Sequence, residues 1–265
     1  MSGTILNRNE APPIDATEVW LNRLSICLPL VFLIGAPTVI ITRILYFHYY
    51  PSEFVNGSPT ISGTASQPPA DHFFEIFMMP VVICIFIAWT LNLLRNTRRL
   101  AHTKRSGQNT LGPAILNWLS CISGICAGVF LGLVSIYNLR QGHDVHMFGS
   151  WVFYISQSLS IVFDILFVLW MRQISVDSGM AQSDFWARVA VAAGVFVGSF
   201  FFLYMYETKN YAAPQIRYTI QLIYIGAEYF VCLLFLLYPA IAYREMRRHF
   251  AQLAVWHAGA DVPGL

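Results

Sequence analysis

The sequence predicts an all-α, multi-pass membrane protein: a bundle of six transmembrane helices with both termini in the cytosol. Three observations support this prediction. First, 56% of the 265 residues are hydrophobic and only 11% are charged, whereas about 25% of a typical soluble domain is charged. Second, the hydrophobic residues gather in long runs, and third, most basic residues lie in alternate loops. The composition excludes a soluble enzyme and also a disordered chain, which would be polar and rich in charge.

A helix needs about 20 mostly apolar residues to cross the hydrocarbon core of a membrane. Six windows meet this requirement: residues 24–47, 73–94, 111–139, 147–171, 189–206 and 218–243. The third window is longer than needed, which predicts a tilt or a start outside the core. The fifth is short, but it ends in an aromatic run that is typical of the membrane interface. We therefore expect one transmembrane domain over residues 24–248, between a cytosolic leader (1–23) and a cytosolic tail (249–265).

The basic residues predict the orientation of the bundle. Twelve of them lie in the leader, in the loops after the second and fourth windows, and in the tail, whereas Arg140, Lys209 and Arg217 lie on the other side. Since basic residues are enriched on the cytoplasmic side of membrane proteins, both termini are placed in the cytosol. The glycosylation sequon at Asn56 then lies in the first non-cytosolic loop, which agrees with this orientation.

Three carboxylates lie within the predicted spans, where an unpaired charge is costly. Glu228 is expected near the middle of the sixth span, Asp164 in the cytosolic half of the fourth, and Glu75 near the outer end of the second, within reach of interfacial water. For Glu228, a functional role and a structural role as a protonated carboxyl bonded to a neighbouring helix are equally supported. For Asp164 the structural interpretation is favoured.

A cluster of ionisable residues, His143-Asp144-Val145-His146, stands in the short outer loop before the fourth span. A histidine with an adjacent carboxylate is suited to general base catalysis, with His143 as the base and Asp144 orienting it. Asp144 is equally suited to cap the fourth helix, because a carboxylate near a helix N-terminus interacts favourably with the helix dipole. Both interpretations remain open. The spacing matches no zinc signature, and we predict neither a metal nor a cofactor.

Two further patterns concern helix packing. Gly124, Gly128 and Gly132 are spaced by four, which predicts a small-residue face for close helix contact. Prolines in the first two spans predict kinks that open a crevice between these spans, with polar groups of the third span lining it. Those polar groups are Asn117, Ser120 and Ser123. The five cysteines lie in apolar runs and are interpreted as buried thiols.

The stretch Ser58-Pro59-Thr60-Ile61-Ser62-Gly63-Thr64, followed by Pro68-Pro69, resembles the first luminal loop of one membrane protein family. That family groups post-GPI-attachment-to-proteins factor 2, the FGF-receptor-activating protein and the damage-regulated autophagy modulators. The resemblance continues in His143-Asp144 with Gly149, and in Glu228-Tyr229. It covers nearly the whole chain.

The resemblance implies remodelling of the lipid of GPI-anchored proteins. The chain would act as, or with, an acyltransferase that reacylates lyso-GPI at the luminal leaflet of the Golgi or endoplasmic reticulum. His143 and Asp144 would be catalytic, and Glu228 and Glu75 would bind substrate. The expected partners are membrane lipids, GPI-anchored proteins and an acyl donor, and no nucleic acid.

The autophagy-modulator branch of the same family implies an alternative. The chain would then be a non-catalytic modulator of lysosomal or Golgi membranes, and its polar residues would form a buried network that determines helix packing. Glu228-Tyr229 is closer to the GPI branch, whereas the loop with the double proline is at least as close to the autophagy branch.

Overall fold

The computed structural model describes residues 16–53, 59–174 and 182–257, which form helices and connecting loops without a strand. The helices are α1 (Ala16–Leu24), α2 (Cys27–Tyr49), α3 (Ile61–Thr64), α4 (Ala70–Arg105), α5 (Leu111–Ile136), α6 (His143–Ile174), α7 (Gln182–Tyr211) and α8 (Pro214–His257). The predicted sequon at Asn56, most of the leader and the end of the tail lie outside the described residues.

Six helical segments in the described ranges are long and apolar enough to cross a membrane, which confirms the predicted six-helix membrane bundle. They are Val19–Tyr49, Ala70–Arg105, Leu111–Ile136, His143–Ile174, Gln182–Tyr211 and Gln215–Arg247. Most extend past the predicted windows, because their polar flanks are helical too. The third segment differs: α5 ends at Ile136, and Tyr137 has an extended backbone with φ −96° and ψ 93°.

The six long helices form a closed ring of neighbours. Around this ring α2 packs on α4 and α8, α5 packs on α4 and α6, and α7 packs mainly on α8. The contact between α6 and α7 is much smaller than the others. The ring is therefore loosest between α6 and α7.

One apolar core fills the middle of the ring. Its centre consists of fully buried side chains from all six long helices, namely Val31, Val81, Ala127, Ile161, Val195 and Val231. Large apolar side chains also face outward, and Leu33 and Phe148 are more than 60% exposed. Outward apolar side chains on every long helix suit a surface covered by lipid rather than by water.

The glycines of α5 allow it to approach α4 closely, as predicted. A Cβ atom added at Gly124 would overlap the Trp89 indole, and one at Gly128 would come within 2.9 Å of the Phe86 ring. At Gly132 the nearest atom is a Val82 methyl carbon at 3.7 Å, an ordinary contact. The need for glycine therefore decreases along the three positions.

We expect alanine substitutions to follow this gradient. Gly124→Ala should cost about 1–3 kcal/mol, the usual range for overpacking, because Trp89 is 3% exposed and stacks on Tyr238. Gly128→Ala should cost less. Gly132→Ala should be neutral or slightly stabilising, because alanine favours helix over glycine by about 1 kcal/mol. Melting temperatures in detergent provide the test, and equal values for the three variants would contradict this account.

The prediction of a crevice between the first two spans is wrong. α2 and α4 pack against each other, and the two helices continue through Pro37 and Pro80. Two of the three polar groups assigned to the crevice serve helix packing: Asn117 accepts a hydrogen bond from Asn96 (3.1 Å), and Ser120 donates one to a carbonyl of α6 (2.9 Å). Side-chain packing on both sides of a proline keeps such helices together, so proline alone does not open a cavity.

Candidate functional site

A cavity of about 580 Å³ opens between α6 and α7, where the ring is loosest. We call it the lateral cavity. Its long walls are apolar and include Val162, Phe196 and Leu203. Polar and charged groups come from the loop before α4, from the ends of α6 and α7 that lie near it, and from α8. These groups include Thr60, Ser62, His143, Lys209, Tyr224 and Glu228. The cavity is therefore amphipathic.

The segment 59–66, here called the re-entrant loop, folds into the same end of the bundle. Thr60 caps α3, because its hydroxyl accepts a hydrogen bond from the Gly63 N–H at 3.1 Å. Ile61 is 7% exposed and packs in the central core with side chains of the long helices. Non-helical backbone is tolerated at such depth only where the protein satisfies its polar groups.

Glu228 and Arg43 satisfy the backbone of the re-entrant loop. The Ile61 N–H donates to Glu228 Oε2 at 3.0 Å. Arg43 Nη1 donates to the Pro59 carbonyl at 3.0 Å and to the Tyr229 hydroxyl at 3.3 Å. The loop motif and the Glu228-Tyr229 pair, which the sequence analysis treated as separate signals, thus form one structural unit.

Lys209 provides a cation at the polar end of the lateral cavity. Its Nζ lies 3.9 Å from the centroid of the Tyr224 ring and 4.6 Å from that of Tyr206, so cation–π contacts hold the ammonium in place. From the sequence, Lys209 served only to predict the orientation of the bundle. Its position at the end of an aromatic run, on the helix that forms one wall, is the signal that could have indicated a site.

The predicted pair His143 and Asp144 lies at the rim of this cavity. His143 begins α6 and lines the cavity, yet 68% of its side chain is exposed. Its Nδ1 is 3.3 Å from Asp144 Oδ1, and the Asp144 side chain is fully exposed in the first turn of α6. This geometry is compatible with a base oriented by a carboxylate and also with a helix cap.

The structure brings two of the four predicted site residues, His143 and Glu228, into one cavity. Asp144 lies beside His143 at the rim. Glu75 lies in the second turn of α4, half-buried, away from the residues that line the cavity. The site therefore consists of the ends of α6, α7 and α8 together with the re-entrant loop.

Comparison with known families places this site in a recognised domain. The family model described as the Frag1/DRAM/Sfk1/Cwh43P N-terminal domain matches residues 20–249. The chain belongs to this family. The matched range includes the re-entrant loop and all the lining residues of the lateral cavity. Comparisons with curated proteins and with solved structures gave no match.

In this Frag1/DRAM family protein, Asp164 belongs to a different site at the opposite, predicted cytosolic end. Its Oδ1 accepts from Asn92 at 2.7 Å, and its Oδ2 accepts from Arg188 at 2.9 Å and from Tyr238 at 2.5 Å. The ion pair with Arg188 indicates a carboxylate and not the protonated acid of the sequence-based interpretation. The difference arises because Arg188, assigned to a loop from the sequence, lies on α7 and is fully buried.

Glu245 extends this site into a buried ion network. Its Oε2 forms ion pairs with Arg188 Nη2 at 2.9 Å and Arg95 Nη1 at 3.1 Å, and its Oε1 accepts a hydrogen bond from Arg99 Nη1 at 3.3 Å. Together with Asp164, these residues connect α4, α6, α7 and α8 of the Frag1/DRAM fold. Positive and negative side chains alternate in this network. Such an arrangement is typical of charges that stabilise helix packing, whereas a site that binds an anion or a cation is lined by charges of one sign.

Proposed function

We propose that the lateral cavity binds a lysolipid and that the chain takes part in GPI-anchor lipid remodelling, as or with an acyltransferase that reacylates lyso-GPI at the luminal leaflet. The observation that carries this proposal is the shape of the cavity, apolar along its walls and charged at one end. A lipid has the same division into acyl chain and head group. The cavity volume lies within the range of about 300–1,000 Å³ that is usual for small-molecule sites.

The ionisable residues at the polar end of the cavity have distinct roles in this proposal. Lys209 would pair with a lipid phosphate, because an ammonium is a common phosphate ligand. Glu228 would position the acceptor, and His143 at the rim, with Asp144 beside it, is the base that the sequence predicts. The opening between α6 and α7 would admit the lipid from the bilayer. The distribution of basic residues supports a luminal position for this end, and GPI head groups lie on that side.

One observation favours the alternative, a non-catalytic lipid-binding modulator of lysosomal or Golgi membranes. His143 and Asp144 are exposed, whereas acyl transfer to an alcohol has to exclude water as a competing acceptor. In this alternative the cavity binds lipid without transfer, and Glu228 only holds the re-entrant loop.

The proposal is tested by mass spectrometry of GPI anchors from cells that lack the endogenous remodelling factor. Expression of the wild-type chain should restore saturated acyl chains at the sn-2 position. Ser199→Trp should abolish this restoration, because Ser199 lines the cavity beside Ser158, with its Oγ 3.4 Å from Ser158 Oγ, and an indole there would occupy the lipid site. Ala193→Trp, on an exposed position of the same helix, is the matched control and should restore fully.

Two outcomes would oppose the proposal. If the wild-type chain reached the Golgi without restoring saturated chains, lipid remodelling would be refuted and the modulator alternative would replace it. If Ser199→Trp restored as well as Ala193→Trp did, the lateral cavity would not be the lipid site.

A further inference from the structure

A second, smaller cavity of about 60 Å³ lies beneath the re-entrant loop. We call it the inner pocket. It shares Ser62, Ser150, Tyr154 and Glu228 with the lateral cavity, so the two spaces adjoin. Its volume suits about two water molecules or one small functional group. It is thus an extension of the lipid site into the protein interior.

His146 lines the inner pocket, and one of its ring nitrogens makes no hydrogen bond to any described residue. The residue is 2% exposed, and its Nδ1 lies 2.7 Å from the Tyr137 carbonyl. Because a carbonyl can only accept, Nδ1 carries the proton in this contact. Nε2 is buried and makes no hydrogen bond within the part of the chain that the structure describes. The His146 ring is therefore a neutral imidazole whose Nε2 can accept a hydrogen bond.

Ser150 and Glu228 complete the polar lining. Ser150 lies four residues after His146, on the same face of α6, and its buried Oγ also makes no hydrogen bond to a described residue. The Glu228 carboxylate lines the same space. Two unsatisfied polar atoms beside a carboxylate predict a polar ligand, since buried polar groups are normally paired.

We infer that His146 is the base of the acyl transfer and that the inner pocket receives the hydroxyl of the lysolipid. This inference rests on the proposed function. Nε2 accepts the hydroxyl proton while the lipid oxygen attacks the carbonyl carbon of an acyl thioester. The new C–O bond forms, the C–S bond breaks, and the imidazolium returns the proton to the leaving thiolate. Ser150 donates a hydrogen bond to the lipid oxygen and keeps it in line.

The surroundings of His146 suit this role better than those of His143. The Tyr137 carbonyl that accepts from Nδ1 lies at the C-terminal end of α5, where the helix dipole is negative and favours the transient positive charge of an imidazolium. The re-entrant loop covers the pocket and excludes water that would otherwise hydrolyse the thioester. His143, by contrast, is 68% exposed.

His146→Gln tests this inference, because glutamine keeps a hydrogen-bond donor and an acceptor but cannot act as a base. The assay measures transfer from palmitoyl-coenzyme A to lysophosphatidylinositol by purified protein in vesicles. We expect the initial rate to fall at least about 100-fold, as for the loss of a general base, with unchanged lysolipid binding and melting temperature. The matched control is His72→Gln, an exposed histidine on α4 outside both cavities, which should keep the wild-type rate.

Three outcomes would overturn the inference, and they differ in what they say about the proposed function. If His146→Gln transferred at the wild-type rate, His146 would not be the base and the proposed function would stand. If the rate, lysolipid binding and melting temperature fell together, His146 would be a structural residue. If the wild-type protein transferred no acyl group from the thioester, base catalysis by His146 would be refuted, and lysophosphatidylinositol binding to wild type and Ser199→Trp would decide the lipid site separately.

Discussion

Arg188→Met is expected to lower the free energy of unfolding by about 3–5 kcal/mol, the usual cost of removing one partner from a buried ion pair. Arg188 is fully buried and contacts two carboxylates, Asp164 Oδ2 and Glu245 Oε2, each at 2.9 Å. Methionine fills a similar volume without a charge, so both carboxylates would lose a cation in a medium that cannot hydrate them. Unfolding by sodium dodecyl sulfate in mixed micelles measures the loss.

Two further variants show whether the loss comes from charge. Arg105→Met removes an exposed arginine at the end of α4 and should change the unfolding free energy by at most about 0.5 kcal/mol. Asp164→Asn, added to Arg188→Met, should recover part of the stability, because it removes the carboxylate whose ion pair with Arg188 is lost, whereas Glu245 still contacts Arg95 and Arg99. An Arg188→Met protein as stable as the wild type would contradict the role assigned to the buried ion network.

Glu228→Ala is expected to release the re-entrant loop from the bundle. The Ile61 N–H would lose its acceptor, which lies at 3.0 Å on a side chain that is only 6% exposed. Hydrogen bonds to charged groups contribute about 1.5–3 kcal/mol. We therefore expect amide hydrogen exchange in residues 59–66 to accelerate about 10- to 100-fold, since every 1.4 kcal/mol is a factor of ten.

Glu228→Gln separates the hydrogen bond from the charge. The glutamine carbonyl can still accept from the Ile61 N–H, so residues 59–66 should keep their slow amide hydrogen exchange. Lipid binding should weaken if the negative charge of Glu228 contributes to it. Glu75→Ala is the control for exchange, because Glu75 is on α4 away from the lateral cavity. Wild-type exchange rates in Glu228→Ala would show that Arg43 alone holds the loop.

Much of the candidate site was visible in the sequence as separate signals. His143 and Glu228 were identified as an ionisable group in an outer loop and a carboxylate in a span, and both line the lateral cavity. Their proximity could not be predicted, because it depends on how α6 and α8 are rotated about their axes. His146 belonged to the same cluster as His143, but only the structure shows that it points inward while His143 points outward.

Other errors have the same origin. Arg95 and Arg188 were assigned to cytosolic loops because they lie just outside the predicted windows, yet they are buried and paired with Glu245 and Asp164. The predicted crevice was assigned to the proline-containing spans, whereas the cavity lies between α6 and α7. Proline and charge are local features of the chain, but helix separation and ion pairing depend on side chains far apart in sequence.

The sequence by itself determined that the chain lies in a membrane and that it has six long helices, because the length and composition of each apolar run are local properties. It also determined the family, because the motifs of the family are short stretches of sequence. The tertiary structure alone decided where the lateral cavity opens, how the re-entrant loop closes the inner pocket, and which charges pair. These features depend on the rotation and register of packed helices, and packing contacts between distant residues determine both.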